Sequence, residues 1–209
     1  MALAFDRGRR PRLLVLPALF DEANKLRRLI AEVMRRLDLS GVDSFLPDFP
    51  GCNESREPLE TQTLDGWRGA AQAAAAHFGA THVLAVRAGC LIAPAALPGW
   101  RYAPTTGAKV LRSLLRARTI TAREAGRVET VEKLSVLARK QGVELAGWKI
   151  GSMMFSALEK AVANTDSQQA LIDQGDIGKG SLWLRAEPGD DPEQADMLAA
   201  LVAMGMLQS

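Results

Sequence analysis

Strand-like segments alternate with helix-like patterns over the first half of the chain. They lie at residues 13–16, 42–46 and 81–86. The first is a continuous apolar run, which is typical of a strand that is buried on both faces of a sheet. Residues 21–37 place apolar side chains every three or four positions, which predicts a helix, and a second helix is expected to end at His77. This alternation predicts a parallel sheet with right-handed crossovers.

The region that follows predicts one more strand and then a largely helical segment. Residues 99–104 predict the strand, which ends at Pro104. Residues 107–164 carry three apolar stripes with helical spacing, and we interpret this region as a helical insertion. Within it, residues 143–148 predict a short strand.

The last part of the chain has weaker signals. The polar stretch at residues 164–180 predicts a long loop, and residues 181–185 predict a late strand. Residues 189–192 are expected to open a final helix. We find no repeat and no interdomain linker, so residues 1–209 are predicted to form a single α/β domain.

The third predicted strand leads into a segment with the shape of a nucleophile elbow. Residues 85–89 have the sequence A-V-R-A-G, which follows G-x-S-x-G in outline but has Arg87 at the serine position. Hydrolases built on this turn place serine, acid and histidine in that order along the chain. Both histidines, His77 and His82, precede Arg87. The sequence therefore predicts the scaffold of such a hydrolase without its triad, and we assign no catalytic residue.

The charge balance argues against a nucleic-acid partner. The formal net charge is only +2, and the basic cluster near the N-terminus is local. We interpret that cluster as a solvated basic tail, with a polyanion-binding arm as the alternative. Its members are Arg7, Arg9, Arg10 and Arg12.

Cysteine usage and hydropathy favour a cytoplasmic protein. Cys52 and Cys90 lie in unrelated contexts and are expected to be free thiols. The histidines and cysteines lack the spacing of metal ligands, so we expect no metal and no cofactor. We see no signal peptide and no apolar run long enough for a membrane span.

Several segments resemble one bacterial family. Residues 20–28 (F-D-E-A-N-K-L-R-R) are similar to its F-A-E-E-M-N-K-S-R-R segment, and residues 48–55 (D-F-P-G-C-N-E-S) to its D-L-x-G-C-G-D-S turn. Residues 86–93 (V-R-A-G-C-L-I-A) resemble its L-R-x-G-A-L-L-A elbow, which also has arginine in place of serine. The family is the second type of hydrolase associated with the exosortase A system. Its members are α/β-hydrolase-like proteins of exopolysaccharide and PEP-CTERM sorting loci.

The resemblance implies a fold and a cellular role. It implies an α/β-hydrolase-like three-layer sandwich with a mostly parallel sheet and a helical insertion after the elbow. The family's N-terminal strand pair is expected to be missing, because only about ten residues precede Leu13. It further implies an accessory of exopolysaccharide biosynthesis or PEP-CTERM sorting. Since fold does not establish activity, the hydrolase function does not follow.

The candidate binding residues lie where the first and third strands meet their helices. Arg87, Asn24 and Lys25 are expected to surround an anion such as a carboxylate or a phosphate, because both segments end at the carboxyl edge of the sheet. Glu22 and Asp48 are also predicted to bind the ligand. The alternative for Arg87 is an internal ion pair with Glu22 or Asp48, and for the other residues helix capping and surface ion pairs.

Three functions stay open from the sequence. The first is a non-catalytic protein that binds an anionic small molecule or a partner protein, and the second is an esterase or thioesterase that acts without a serine triad. The third is a homo-oligomer formed through a sheet edge that the missing strand pair would leave uncovered.

Overall fold

We analysed a computed structural model that describes residues 1–165 and 168–207. The strands within these residues are β1 (Ala2–Phe5), β2 (Arg12–Leu16), β3 (Asp43–Pro47), β4 (His82–Val86), β5 (Gly99–Tyr102), β6 (Val143–Leu145), β7 (Trp148–Ile150) and β8 (Gln169–Ile172). The helices are α1 (Asp21–Leu39), α2 (Leu64–His77), α3 (Gly107–Glu124), α4 (Val131–Gln141), α5 (Ser152–Lys160), α6 (Gln174–Ile177) and α7 (Pro192–Leu207).

A six-stranded, mostly parallel sheet forms the centre of the fold. Its strand order is β1-β3-β2-β4-β5-β8, and every neighbouring pair is parallel except β1 with β3. Strands β6 and β7 form a separate antiparallel hairpin. The predicted α/β sandwich with a mostly parallel sheet is confirmed.

The sheet separates two hydrophobic cores. Successive side chains of a strand point to opposite faces, so Leu13 and Val15 of β2 enter one core whereas Leu14 and Leu16 enter the other. Helices α1 and α7 cover the first core, which we call the α1–α7 core. Helices α2, α3, α4 and α5 cover the second. Burial on both faces explains why the central strands β2 and β4 are largely apolar.

The N-terminal edge of the sheet differs in part from the expectation. A single strand, β1, precedes β2 in the described part of the chain, so the predicted absence of an N-terminal strand pair is confirmed. The expectation that this edge is uncovered is wrong. Residues Ala2–Phe5 form β1 and pair antiparallel with β3, which the short N-terminal segment is long enough to do.

Three of the four arginines near the N-terminus, Arg7, Arg9 and Arg12, are held by acids and are not part of a solvated tail, whereas Arg10 is exposed. The backbone amides of Arg7 and Arg9 donate to Asp43 Oδ2 at 3.1 and 2.8 Å, and Arg12 Nη1 lies 3.4 Å from the same oxygen. Asp43 is completely buried at the start of β3. Arg7 also pairs with Asp38, and that hydrogen bond holds the pKa of Asp38 below its ordinary value. Arg7, Arg9 and Arg12 therefore fasten the link between β1 and β2.

Two predictions for the later strands are wrong. Residues 181–185 contain a 3₁₀ turn (Leu182–Leu184) that buries Leu182 and Trp183 in the α1–α7 core. The short apolar run in this segment has the same sequence pattern as a buried strand. The last strand, β8, lies inside the predicted loop at residues 164–180, of which residues 166 and 167 are outside the described part of the chain. A four-residue edge strand gives too short a pattern to recognise.

The predicted strand at residues 143–148 is a hairpin instead of one strand. The chain reverses at Ala146 and Gly147, which have φ angles of 49° and 83°. Positive φ at both central residues is the signature of the tight turns that join hairpin strands. The predicted strand at residues 99–104 is confirmed as β5.

The Asp43 cluster yields a stability prediction. Replacing Asp43 by Asn should lower the free energy of unfolding by about 1–3 kcal/mol, because a buried carboxylate that accepts two amides and faces Arg9 and Arg12 is lost. Urea unfolding of the variant measures this. The control is Asp65→Asn, whose exposed pair with Arg68 should contribute less than about 1 kcal/mol. Equal losses in the two variants would contradict the role of the cluster.

Candidate functional site

A strained turn follows β4. The chain passes from Val86 directly into a 3₁₀ turn at Arg87–Leu91, and Arg87 has a φ of 53°. An L-residue in this left-handed region costs roughly 1–2 kcal/mol. The nucleophile of an elbow occupies the same kind of sharp, strained strand-to-helix turn. The predicted elbow at Arg87 is confirmed, although a short 3₁₀ turn replaces the first turn of an α-helix.

Gly89 allows the elbow to lie against the end of β2. A Cβ atom at this position would stand 2.4 Å from the carbonyl oxygen of Pro17 and 2.7 Å from that of Leu16. These atoms belong to the backbone and cannot move aside as a flexible side chain can. The contact with β2 therefore requires a residue without a side chain at this position.

The guanidinium of Arg87 makes three hydrogen bonds inside the protein. Its Nε and Nη2 each donate to a different oxygen of Glu22 at 3.0 Å, and its Nη1 donates to the carbonyl oxygen of Ala103 at 2.7 Å. The ring of Trp183 lies 4.1 Å from Cζ, close enough for a cation–π contact. The Arg87 side chain is only 13% exposed. Of the two acids considered as partners, the structure selects Glu22.

The other predicted binding residues do not gather around Arg87. Lys25 forms an ion pair with Asp21 at 2.9 Å within the first turns of α1. Asp48 accepts a hydrogen bond from Asn53 Nδ2 at 2.9 Å in the loop after β3. Asn24 lies on the lining of a cavity that it shares with Asp48. The five candidates therefore divide between an internal ion pair, a helix surface and this cavity.

The cavity lies between α1, β1 and the loop after β3, and we call it the α1–β1 cavity. Its volume is about 300 Å³. The ends of β2 and β3 contribute Pro17, Ala18, Leu46 and Pro47 to its lining. Its polar lining residues are Asn24, Arg27, Asp48, Asn53 and Glu54. The cavity opens at the carboxyl edge of the parallel strands, which is where α/β sheets bind ligands.

An aromatic cluster supports the inner side of this region. The ring of Phe20 lies 5.7 Å from those of Trp67 and Trp148, and Phe49 lies 6.0 Å from Trp67. Trp67 Nε1 donates to the carbonyl oxygen of Pro50 at 2.9 Å, which ties the loop after β3 to α2. A small space of about 30 Å³ among these rings shares Asn24 with the larger cavity.

Neither thiol is suited to nucleophilic chemistry. Burial raises the pKa of the Cys90 thiol to about 12, and its Sγ donates to the carbonyl oxygen of Ala85. Burial, with a smaller contribution from Asp48, raises the pKa of the Cys52 thiol to about 11. Since the thiolate is the reactive form, both cysteines are expected to be unreactive near neutral pH.

Both histidines lie at the opposite end of the sheet from the elbow. His82 is the first residue of β4, whereas Arg87 follows the last residue of that strand. The His82 ring stacks on Trp100, and burial lowers the pKa of His82. His77 ends α2 and contacts Phe78. Neither imidazole can take a proton at position 87.

Some contributors to the site have no recognisable sequence signal. Trp183, which covers Arg87, lies in a segment predicted as a strand, and the carbonyl of Ala103 is a backbone group. The aromatic cluster joins four separate regions of the chain. A feature that could have indicated the cluster is the presence of Phe20 and Phe49 just after β2 and β3.

The fold and the elbow define an α/β-hydrolase-like protein. Within residues 1–165 and 168–207, no group of histidine, cysteine and acidic side chains is placed to hold a metal ion. No helix of this part of the chain is long and apolar enough to cross a membrane.

Comparisons with known proteins add little to this classification. No family model and no curated protein matches the chain. Among solved structures, Est1E from Butyrivibrio proteoclasticus with bound ferulic acid matches at 13% identity and a TM-score of 0.48, over 100% of this chain and 94% of that one. A protein of Agrobacterium vitis S4 proposed to be a hydrolase matches at 20% identity and a TM-score of 0.38, over 58% and 53%. Likenesses this weak carry no argument, so the class rests on the strand order and the elbow.

The close contact between Gly89 and the backbone of β2 yields a stability prediction for the elbow. Gly89→Ala should lower the free energy of unfolding by about 1–3 kcal/mol or more, because the new Cβ overlaps the backbone of β2. Gly69→Ala is the matched control, since Gly69 lies in α2 with open space around it. That variant should be neutral or more stable by up to about 1 kcal/mol. Thermal and urea unfolding compare the two, and a neutral Gly89→Ala would refute the close approach.

Proposed function

We propose that this protein is a non-catalytic, α/β-hydrolase-like accessory that binds a ligand in exopolysaccharide biosynthesis or PEP-CTERM sorting. One observation carries the proposal: the position of the nucleophile holds Arg87, whose guanidinium is bound by Glu22 and by the carbonyl of Ala103. The cellular context rests on the resemblance of residues 20–28 and 86–93 to the exosortase-associated family.

The chemistry of the elbow argues against hydrolysis. Acyl transfer on this scaffold needs a nucleophile and a base within hydrogen-bonding distance of it. Arginine remains protonated and supplies neither. His77 and His82 lie at the far end of the sheet, and the two thiols have raised pKa values. An esterase or thioesterase without a triad is the alternative, and no group at the elbow supports it.

The charges favour the α1–β1 cavity over Arg87 as the ligand site. An anion at Arg87 would have to displace the Glu22 carboxylate, which is held by two hydrogen bonds and is only 21% exposed. The cavity needs no such displacement, and its lining carries two acids, Asp48 and Glu54, with one base, Arg27. Such a lining suits a neutral ligand rich in hydroxyl groups better than a free anion.

A small saccharide fits this lining. Asn24 and Asp48 offer a donor and acceptors for hydroxyl groups, while Pro17, Ala18 and Leu46 present apolar surface to the C–H face of a sugar ring. The cavity volume of about 300 Å³ is at the lower end for small-molecule sites, which span roughly 300–1,000 Å³. We therefore place the ligand beside Asn24 and Asp48, with the Arg87–Glu22 pair as structural support.

The absence of hydrolysis is directly testable. We expect no labelling by a fluorophosphonate probe and no turnover of short acyl esters or acyl-thioesters, for the wild type and for Arg87→Ser alike. A new serine would still lack a base within reach. Labelling or turnover by the purified wild-type protein, abolished by a substitution in the elbow, would establish the alternative.

Ligand binding is tested by calorimetry with mono- and disaccharides. We expect Asn24→Ala and Asp48→Asn each to weaken binding by about tenfold, on the order of one hydrogen bond to a charged or polar partner. Asp65→Asn, which changes an exposed side chain of α2, serves as the control and should bind the saccharide like the wild type. Inorganic phosphate is titrated in parallel with wild type and Glu22→Gln. Phosphate binding that is strengthened by Glu22→Gln and lost in Arg87→Ala would show that the ligand binds at Arg87 instead.

A further inference from the structure

The loop between α3 and α4 exposes apolar side chains at its apex. Val128 is 89% exposed, Ile120 on α3 is 49% exposed and Leu137 on α4 is 41% exposed. Val128 borders two shallow depressions, one shared with Ile120 and the other with Leu137. The three side chains thus form a continuous surface, which we call the α3–α4 tip. Contiguous exposed apolar surface of this kind marks interaction sites.

Cationic side chains surround the α3–α4 tip. Arg123 and Arg127 border the depression that contains Ile120, and Lys133 borders the one that contains Leu137. Residues 107–144 contain nine lysines and arginines but four acids, a net charge of +5, whereas the whole chain has +2. The positive charge of the protein is therefore concentrated in this helical region.

These cations are available to an external partner. No salt bridge within residues 1–165 and 168–207 involves Arg123, Arg127 or Lys133. By contrast, the acid that borders both depressions, Glu129, is held by Arg118 through two hydrogen bonds of 2.6 and 2.8 Å. The other acid, Glu144, borders only the depression on the Leu137 side. No acid in the described part of residues 107–144 forms a salt bridge with any of the three cations.

We infer that the α3–α4 tip docks peripherally on an anionic phospholipid surface. An apolar apex ringed by cations matches the interface of such a membrane, where aliphatic side chains enter the acyl boundary and cations meet the phosphates. A polyanion without an apolar phase could bind the cations, but it would offer no apolar environment in which to bury Val128. The tip shares no residue with the lining of the α1–β1 cavity, so docking leaves the cavity unobstructed and does not depend on the proposed ligand.

Co-sedimentation with vesicles tests this inference. We expect the full chain to bind vesicles that contain phosphatidylglycerol, to ignore vesicles of phosphatidylcholine alone, and to bind less at high salt. Arg123→Glu/Arg127→Glu and, separately, Val128→Asp should each weaken binding by about fivefold or more. Thermal unfolding verifies that each variant is folded. All three positions are exposed, so folding should persist.

Two matched controls distinguish the tip from general surface properties. Arg10→Glu/Arg56→Glu changes the net charge by the same amount at exposed sites elsewhere, and Leu39→Asp removes another aliphatic side chain that is 86% exposed. Both controls should bind vesicles like the wild type. If they lose as much binding as the tip variants, or if the wild type ignores anionic vesicles, the inference is wrong. If Val128→Asp binds normally while the double charge reversal abolishes binding, the tip is a polyanion or acidic-protein site instead.

Discussion

The contact between the elbow and the end of β2 is the constraint on which the rest of the site depends. Gly89 brings the backbone of the elbow against the carbonyls of Leu16 and Pro17, and no larger residue fits there. Because β2 and β4 are paired neighbours, this contact holds the end of β4 beside the start of α1. Glu22 lies in the first turn of that helix, so the same contact brings it within hydrogen-bonding distance of Arg87.

The Arg87–Glu22 pair explains how a hydrolase-like elbow can persist without a nucleophile. The left-handed backbone of Arg87 is unfavourable for an arginine, and such a conformation survives only where its surroundings determine it. Here two hydrogen bonds to Glu22, one to the carbonyl of Ala103 and the ring of Trp183 enclose the side chain. A bidentate pair between planar groups also fixes orientation. The interaction therefore joins α1, β4 and the segment after β5 at the place where chemistry would otherwise occur.

Local patterns in the sequence predict the sheet, the elbow and the first helix, because each is encoded by neighbouring residues. The apolar runs of β2 and β4, the stripe of α1 and the small residues after Arg87 belong to this group. The position of β8 and the role of Trp183 could not be predicted in the same way. A short edge strand acquires its conformation by pairing with β5, and Trp183 meets Arg87 only through tertiary packing. The predicted binding residues illustrate the same limit. Sequence position places Asn24 and Lys25 at one sheet edge, but tertiary contacts decide their surroundings: Lys25 pairs with Asp21, whereas Asn24 lines the α1–β1 cavity.

The packing of α1 against α7 has a consequence for synthesis on the ribosome. Leu29 and Val33 of α1 share a core with Leu198 and Val202 of α7, and Arg36 pairs with Asp196 across the two helices. A nascent chain that has emerged as far as α6 contains every strand of the six-stranded sheet but lacks α7, which covers part of the apolar stripe of α1. Such an intermediate is a natural client for chaperones that bind exposed aliphatic surface. Premature termination within α7 would thus leave exposed the apolar surface of α1 that α7 covers in the complete fold.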